Sequence, residues 1–245
     1  MSVSNNPAGR IKDILTHLRN ANQRGPILHA WAAAFECDPG DTRALMVGLL
    51  NLGKLNDLAR EVTLRYVDDC PGFYLEPFAS VEALCNHWHM ETQLVSVPGN
   101  PSEATMTALA FVDHHLARHF AANASGTSDQ IAALIATLDT LLEDCLRAEM
   151  DTELKLLLIR QVQSIRAALV NFRVSGPEGL EAALEQAYGS MIRNKDTVKA
   201  GQASGDTRLE RFFDILGKTS DLQSGFQLIQ PALAPAATLL LSVFN

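Results

Sequence analysis

Strand-forming patterns are almost absent from this sequence. No clear run alternates apolar and polar residues, and β-branched residues are thinly scattered. Ala and Leu dominate instead, which favours helix. The short extended candidates are Thr92 to Val97 and Phe73 to Leu75. The motifs that accompany parallel sheets are missing as well. There is no Walker A pattern and no Gly-x-Gly-x-x-Gly, so nucleotide-binding α/β folds are unsupported. No Gly-x-Ser-x-Gly elbow is present.

Cysteine is scarce and poorly spaced for metal. Cys37, Cys70, Cys85 and Cys145 form no Cys-x-x-Cys, and no histidine spacing around them matches a zinc ribbon or finger. They read as small buried hydrophobes in a reduced setting. Cys145 sits beside Asp144, and an acidic neighbour raises a thiol pKa, the wrong direction for a nucleophile. Residues 1–10 lack an apolar core segment, so no secretory signal is read and a cytoplasmic location is expected.

Positive charge is also in deficit. The formal net charge is −8, which repels phosphate backbones and anionic membrane surfaces. The best basic cluster is Arg193, Lys195 and Lys199, and Asp196 interrupts it. Nucleic acid is therefore an unfavoured partner.

What the chain has is apolar content, 47% of 245 residues, with 20% charged and a mean hydropathy of +0.03. That is enough to bury a core. Ile11, Ile14, Leu15 and Leu18 form one helical stripe in a helix predicted from about Gly9 to Arg24. Pro26 opens a second helix carrying Ile27, Trp31 and Phe35. Asp41 caps a third, with Leu45, Leu49, Leu52, Leu55, Leu58 and Val62 and an expected break near Gly53.

Further helices are expected from Val81 to about Met90, from Ser102 to about Ala122, from Asp129 to about Arg147, and from Thr152 to about Phe172. Asp151 and Thr152 predict a corner between the last two rather than one continuous helix. Pro177 begins another, and Arg208 to Leu216 is short and amphipathic. No repeat of fixed period aligns. The fold class is all-α, an irregular bundle of about eight to ten helices with no significant sheet. The expected organisation is a helical body over 1–193, a flexible linker over 194–206, and a C-terminal helical element over 207–245.

Three features bear on function. Five of the seven histidines lie between His87 and His119, and His115 and His119 stand four apart. On a helix that spacing puts two imidazoles about 6 Å apart on one face, able to share a metal. Cys85, His87 and Glu91 could add ligands. Neither a His-Glu-x-x-His nor a Glu-x-x-His pair is present, so no cofactor is predicted and the metal reading stays an alternative. Asp113-His114-His115 matches a phosphoesterase signature in letters only. That chemistry needs a strand-to-loop position, and here the run falls inside a predicted helix.

The second feature is an acidic corner of Glu143, Asp144, Glu149, Asp151 and Glu153, suited to pairing helix dipoles or docking a basic partner. The third is the stretch Leu222 to Asn245, which contains no charged residue and includes Leu239, Leu240, Leu241 and Phe244. A bilayer takes about 20 apolar residues. Pro231, Pro235, Gln223, Gln227 and Gln230 argue against a spanning helix. The tail suits a packed or interfacial helix, or conditional membrane contact.

These features, with no catalytic residue nominated, favour a non-enzymatic protein–protein interaction protein: an adaptor, immunity-type or accessory subunit of a bacterial system, a defence system among them. Its partner is another protein or a second copy. The alternatives are a membrane-directed effector acting through 222–245 and a histidine-centred metal protein.

Overall fold

The computed structural model describes residues 6–67, 72–120 and 127–224, the side chains of 127–128 and 223–224 excepted. Among them are ten α-helices and no strand. They are α1 (Pro7–Asn20), α2 (Ile27–Phe35), α3 (Thr42–Tyr66), α4 (Glu76–Cys85), α5 (Glu103–Leu116), α6 (Thr127–Arg147), α7 (Thr152–Val170), α8 (Phe172–Arg193), α9 (Lys195–Ala203) and α10 (Thr207–Ser224). The expected all-α, multi-helix class is what the chain adopts. Both extended candidates instead hold a 3₁₀ turn, at Gly72–Tyr74 and Leu94–Ser96. A single isolated bridge joins Pro26 and Gln93.

The chain divides into two compact units. The first holds α1 to α5 together with Arg173–Gly176. Its centre is the predicted stripe of α1. Ile11, Ile14, Leu15 and Leu18 are all fully buried, and α1 packs on α2, α3 and α5. Asn6 starts the helix by accepting from Gly9 N at 2.9 Å, ahead of a proline that has no N–H to satisfy. The same Asn6 donates to Asp113 Oδ1 at 2.7 Å, and Lys12 pairs with Asp113 Oδ2. Asp113 is thereby a clamp between α1 and α5. Arg19 and Glu103 pair further along the same two helices.

Trp31 is fully buried in α2 and stacks on Phe35 at 5.2 Å. Asp41 caps α3 as expected, accepting from Ala44 N at 2.9 Å. α3 then runs unbroken through Gly53, because its buried face is continuous from Leu45 to Thr63. α4 begins before the expected Val81, with Pro77 in its first turn. Asn56 Nδ2 donates to Phe78 O at 3.0 Å and ties α3 to α4.

The second unit holds α6, α7, α9, α10 and α8 from Pro177 onward. The corner between α6 and α7 forms as predicted. Asp151 caps α7 by accepting from Leu154 N at 2.9 Å. Lys155 Nζ reaches back to Leu146 O at 2.9 Å and Ala148 O at 3.0 Å, satisfying carbonyls that the end of α6 leaves free. The break before Pro177 is set by Gly176 at φ 63°, a conformation that costs a side chain dearly.

Residues 194–206 differ from the expected flexible linker, because Lys195–Ala203 is the helix α9. Val198, the one large apolar residue there, is fully buried in the unit's core. Gly201 is buried too, and a methyl at that position would lie 2.6 Å from Leu154 Cδ2. One anchor and one close approach fasten a segment whose composition reads as solvent-exposed. α10 follows after Asp206 and extends beyond the predicted Leu216.

Each unit has its own buried cluster, so core truncations should be costly in both. Ile14→Ala is expected to lose about 2–5 kcal/mol and Phe212→Ala about 3–5 kcal/mol, measured by urea denaturation. Fluorescence of Trp31 and Trp88, both in the first unit, reads the first and far-UV circular dichroism the second.

Candidate functional site

The histidines of the first unit do not form the geometry their spacing offers. α5 ends at Leu116, and Ala117 caps it. His119 lies beyond, in a tight turn where its N–H donates to Leu116 O at 2.9 Å. His115 and His119 therefore share no helical face. Each engages an aromatic ring instead. His119 stacks on Tyr66 with ring centroids 4.6 Å apart. His115 faces Tyr74 at 6.2 Å and His114 at 6.3 Å. Tyr74 in turn meets Phe73 at 4.2 Å. His87 pairs with His89 at 5.9 Å. Among the described residues, no group of three or more His, Cys, Asp or Glu side chains is placed to hold a metal ion.

This arrangement is an aromatic surface. Phe73 is 48% exposed and Phe111, one turn before His115 on α5, is 52% exposed. Sequence spacing found the histidines and missed Phe73, Tyr74, Tyr66 and Phe111. The ring partners come from α3 and from the 3₁₀ turn, segments that only the fold brings to α5.

The acidic corner belongs to the second unit and faces a cleft of about 680 Å³. Glu149, Asp151 and Glu153 line it from one side, and Thr197, Ser204, Asp206 and Arg208 from the other. Most of the predicted acids already have tasks. Glu143 pairs with Arg147 at 3.1 Å, Asp144 pairs with Arg211, and Asp151 is the cap of α7. Glu153 accepts from Thr197 Oγ1 at 3.3 Å. Glu149 is exposed at the rim.

Asp206 is the best-held carboxylate of this cleft, and it escaped the sequence reading. It accepts from Arg208 Nε and Arg208 Nη2, each at 2.8 Å, and from Arg208 N at 2.9 Å. The hydrogen bonds from the Arg208 side chain hold its pKa below the usual carboxylate range. The signal available was Gly205-Asp206 ahead of a helical pattern, a helix stop followed by a cap.

None of the described cysteines is poised for nucleophilic chemistry. Burial, with Asp57 and Glu82 nearby, pushes the Cys85 thiol up to about 12. Cys145 is raised chiefly by burial, with Asp206 and Asp144 adding to the rise and Arg208 and Arg211 opposing it. Burial raises Cys37 as well, helped by Asp41 and Asp38. Cys70 lies outside the described residues, as do Leu239, Leu240, Leu241 and Phe244 of the uncharged tail. Leu222, where that tail begins, is half-buried against the core of the second unit. Among the described residues, no helix is long and apolar enough to cross a membrane.

Comparison with known proteins places no relative beside this chain: no family model matches it, and no curated protein or solved structure does either.

Two outcomes follow from these environments. Asp206 has a depressed folded-state pKa, so its contribution is present above the unfolded value and is lost as pH falls through the folded one. Asp206→Asn should therefore destabilise the protein at pH 7, with the difference from wild type closing in strong acid, as read by urea denaturation at both pH values. The folded protein at pH 8 should leave Cys85 unlabelled by iodoacetamide, and urea should expose it to rapid labelling, with peptide mass spectrometry locating the adduct.

Proposed function

We propose that this chain is a non-enzymatic protein–protein interaction protein, of the adaptor, immunity-type or accessory-subunit kind, and that a protein partner docks on Phe73, Tyr74, Phe111 and His115. The observation that carries this reading is the exposure of two phenylalanines beside the Tyr74–His115 contact. Large aromatic side chains are costly to leave in water and are the residue types that dominate binding energy at interfaces. The polar side chains that could suggest catalysis support the same reading by their employment elsewhere. Asp113 clamps α1 to α5, Asp144 pairs with Arg211, and Asp151 caps a helix. The acidic net charge favours a partner surface that is apolar or basic at its rim.

A photo-reactive phenylalanine analogue placed at position 73, and separately at 111, tests this in source cells. Both positions should capture the same discrete protein, and Phe111→Asp should abolish capture from position 73. Capture no stronger than from a control position such as 199, or different proteins from 73 and 111, would overturn the reading.

A further inference from the structure

The outer face of α3 carries a second set of exposed apolar side chains, independent of the aromatic surface. Met46, Val47, Leu50 and Leu64 all face solvent, with Leu50 60% and Leu64 55% exposed. Val47, Leu50 and Leu64 fall on a stripe with the alternating spacing of three and four that lets one helix pack along another, and the middle positions of that stripe are the charged Lys54, Asp57 and Glu61. The helix is long, roughly 37 Å over Thr42–Tyr66. At its middle stands Gly53. A methyl there would meet nothing within 4 Å, so no contact inside the chain requires a glycine. Glycine in a helix interior costs about 1 kcal/mol relative to alanine. A surface that another helix approaches closely gives it a reason.

The charges on this face choose the occupant. Lys54 and Asp57 are exposed and take part in no ion pair among the described residues. A second copy of α3 laid antiparallel, with the two-fold axis between positions 55 and 56, puts Lys54 against Asp57 of the other copy, twice. It also puts Val47 against Leu64, and Leu50 against Glu61, whose carboxylate is already held by Arg65 at 2.7 Å. This register overlaps the helix over nearly its whole length.

Sliding it by one heptad sets Lys54 against Leu50 and Asp57 against Val47, four charges on hydrocarbon where the central register has two, and keeps opposite charges together only at Arg43 and Glu61. Sliding it by two sets Arg43 against Lys54, like on like. A parallel pairing faces Lys54 with Lys54 and Asp57 with Asp57. The central antiparallel register is the one in which the face is most complementary to itself, with two Lys54–Asp57 and two Val47–Leu64 pairings, as a two-fold interface requires. We infer that α3 is a homodimer interface, packing antiparallel on α3 of a second copy through Met46, Val47, Leu50 and Leu64, with reciprocal Lys54–Asp57 pairs at its centre.

Sedimentation equilibrium of the full chain, with circular dichroism as a check on folding, tests this. The wild type should show a concentration-dependent monomer–dimer equilibrium. Lys54→Asp and Asp57→Lys should each weaken it at least about tenfold, because each places like charges opposite one another. The double variant carrying both changes should recover dimerisation, and an equimolar mixture of the two single variants should form a mixed dimer. Leu50→Glu should leave a folded monomer. A wild type that is monomeric throughout the concentration range would overturn the proposal. So would single charge reversals that leave dimerisation unchanged, or a double variant as weak as the singles.

Discussion

A helix can hide an apolar stripe only against another helix when no sheet is available, and this constraint organises the whole molecule. α1 is the plainest case. Its four stripe residues are fully buried because α2, α3 and α5 surround them. The polar contacts around α1 follow from that packing. Asn6, Lys12 and Asp113 lock the α1–α5 pairing that burial of the stripe demands. In the second unit α6 and α7 cover one another in the same way, and α9 and α10 complete the enclosure around Val198, Leu209 and Phe212. Large apolar side chains stay exposed elsewhere too, Trp88, Leu146, Leu156 and Val170 among them; those on α3, α5 and the 3₁₀ turn carry the functional reading because several of them share one helix face or adjoin the Tyr74–His115 contact.

Charged residues in both units serve mainly as fasteners. Helix ends leave backbone groups without partners, and Asp41, Asp151 and Lys155 each supply what an end lacks. Asp206 and Arg208 do so at the start of α10 with a pair that is largely removed from water. Surface pairs such as Glu143–Arg147 contribute little to stability, about 0.3–0.5 kcal/mol for this spacing. An acidic corner that looks concentrated along the chain is thus mostly committed once the chain folds, with Glu149 left at the rim.

The helices were legible in the sequence because their signals are local. The α1 stripe, the Asp41, Ser102 and Asp151 caps and the break at Gly176-Pro177 all lie within a few residues of what they control, whereas α1 ends at Asn20, short of the expected Arg24 and ahead of Gly25-Pro26. Long-range outcomes were not legible. Composition marks 194–206 as solvent-exposed, yet Val198 and Gly201 find a buried place against α7 and α10. The spacing of His115 and His119 presumes a helix that continues, whereas α5 stops one residue after His115 and the two rings find Tyr74 and Tyr66. The exposed aromatic surface is invisible in order along the chain, because Phe73 and Phe111 lie on separate elements that tertiary packing brings together.

The central claim is that this protein works through its uncovered apolar and aromatic surface and not through its polar cleft. Hydroxyl-radical footprinting of the full chain in its source cells, compared with the dilute purified protein, tests it most directly, since methionine, phenylalanine, tyrosine and leucine report their own exposure. Protection in cells at Met46, Leu50, Leu64, Phe73 and Phe111, with Met150 at the acidic cleft unchanged, is the expected result. Protection confined to Met150 and its neighbours in the cleft, with α3 and Phe111 as reactive as in the purified protein, would contradict it.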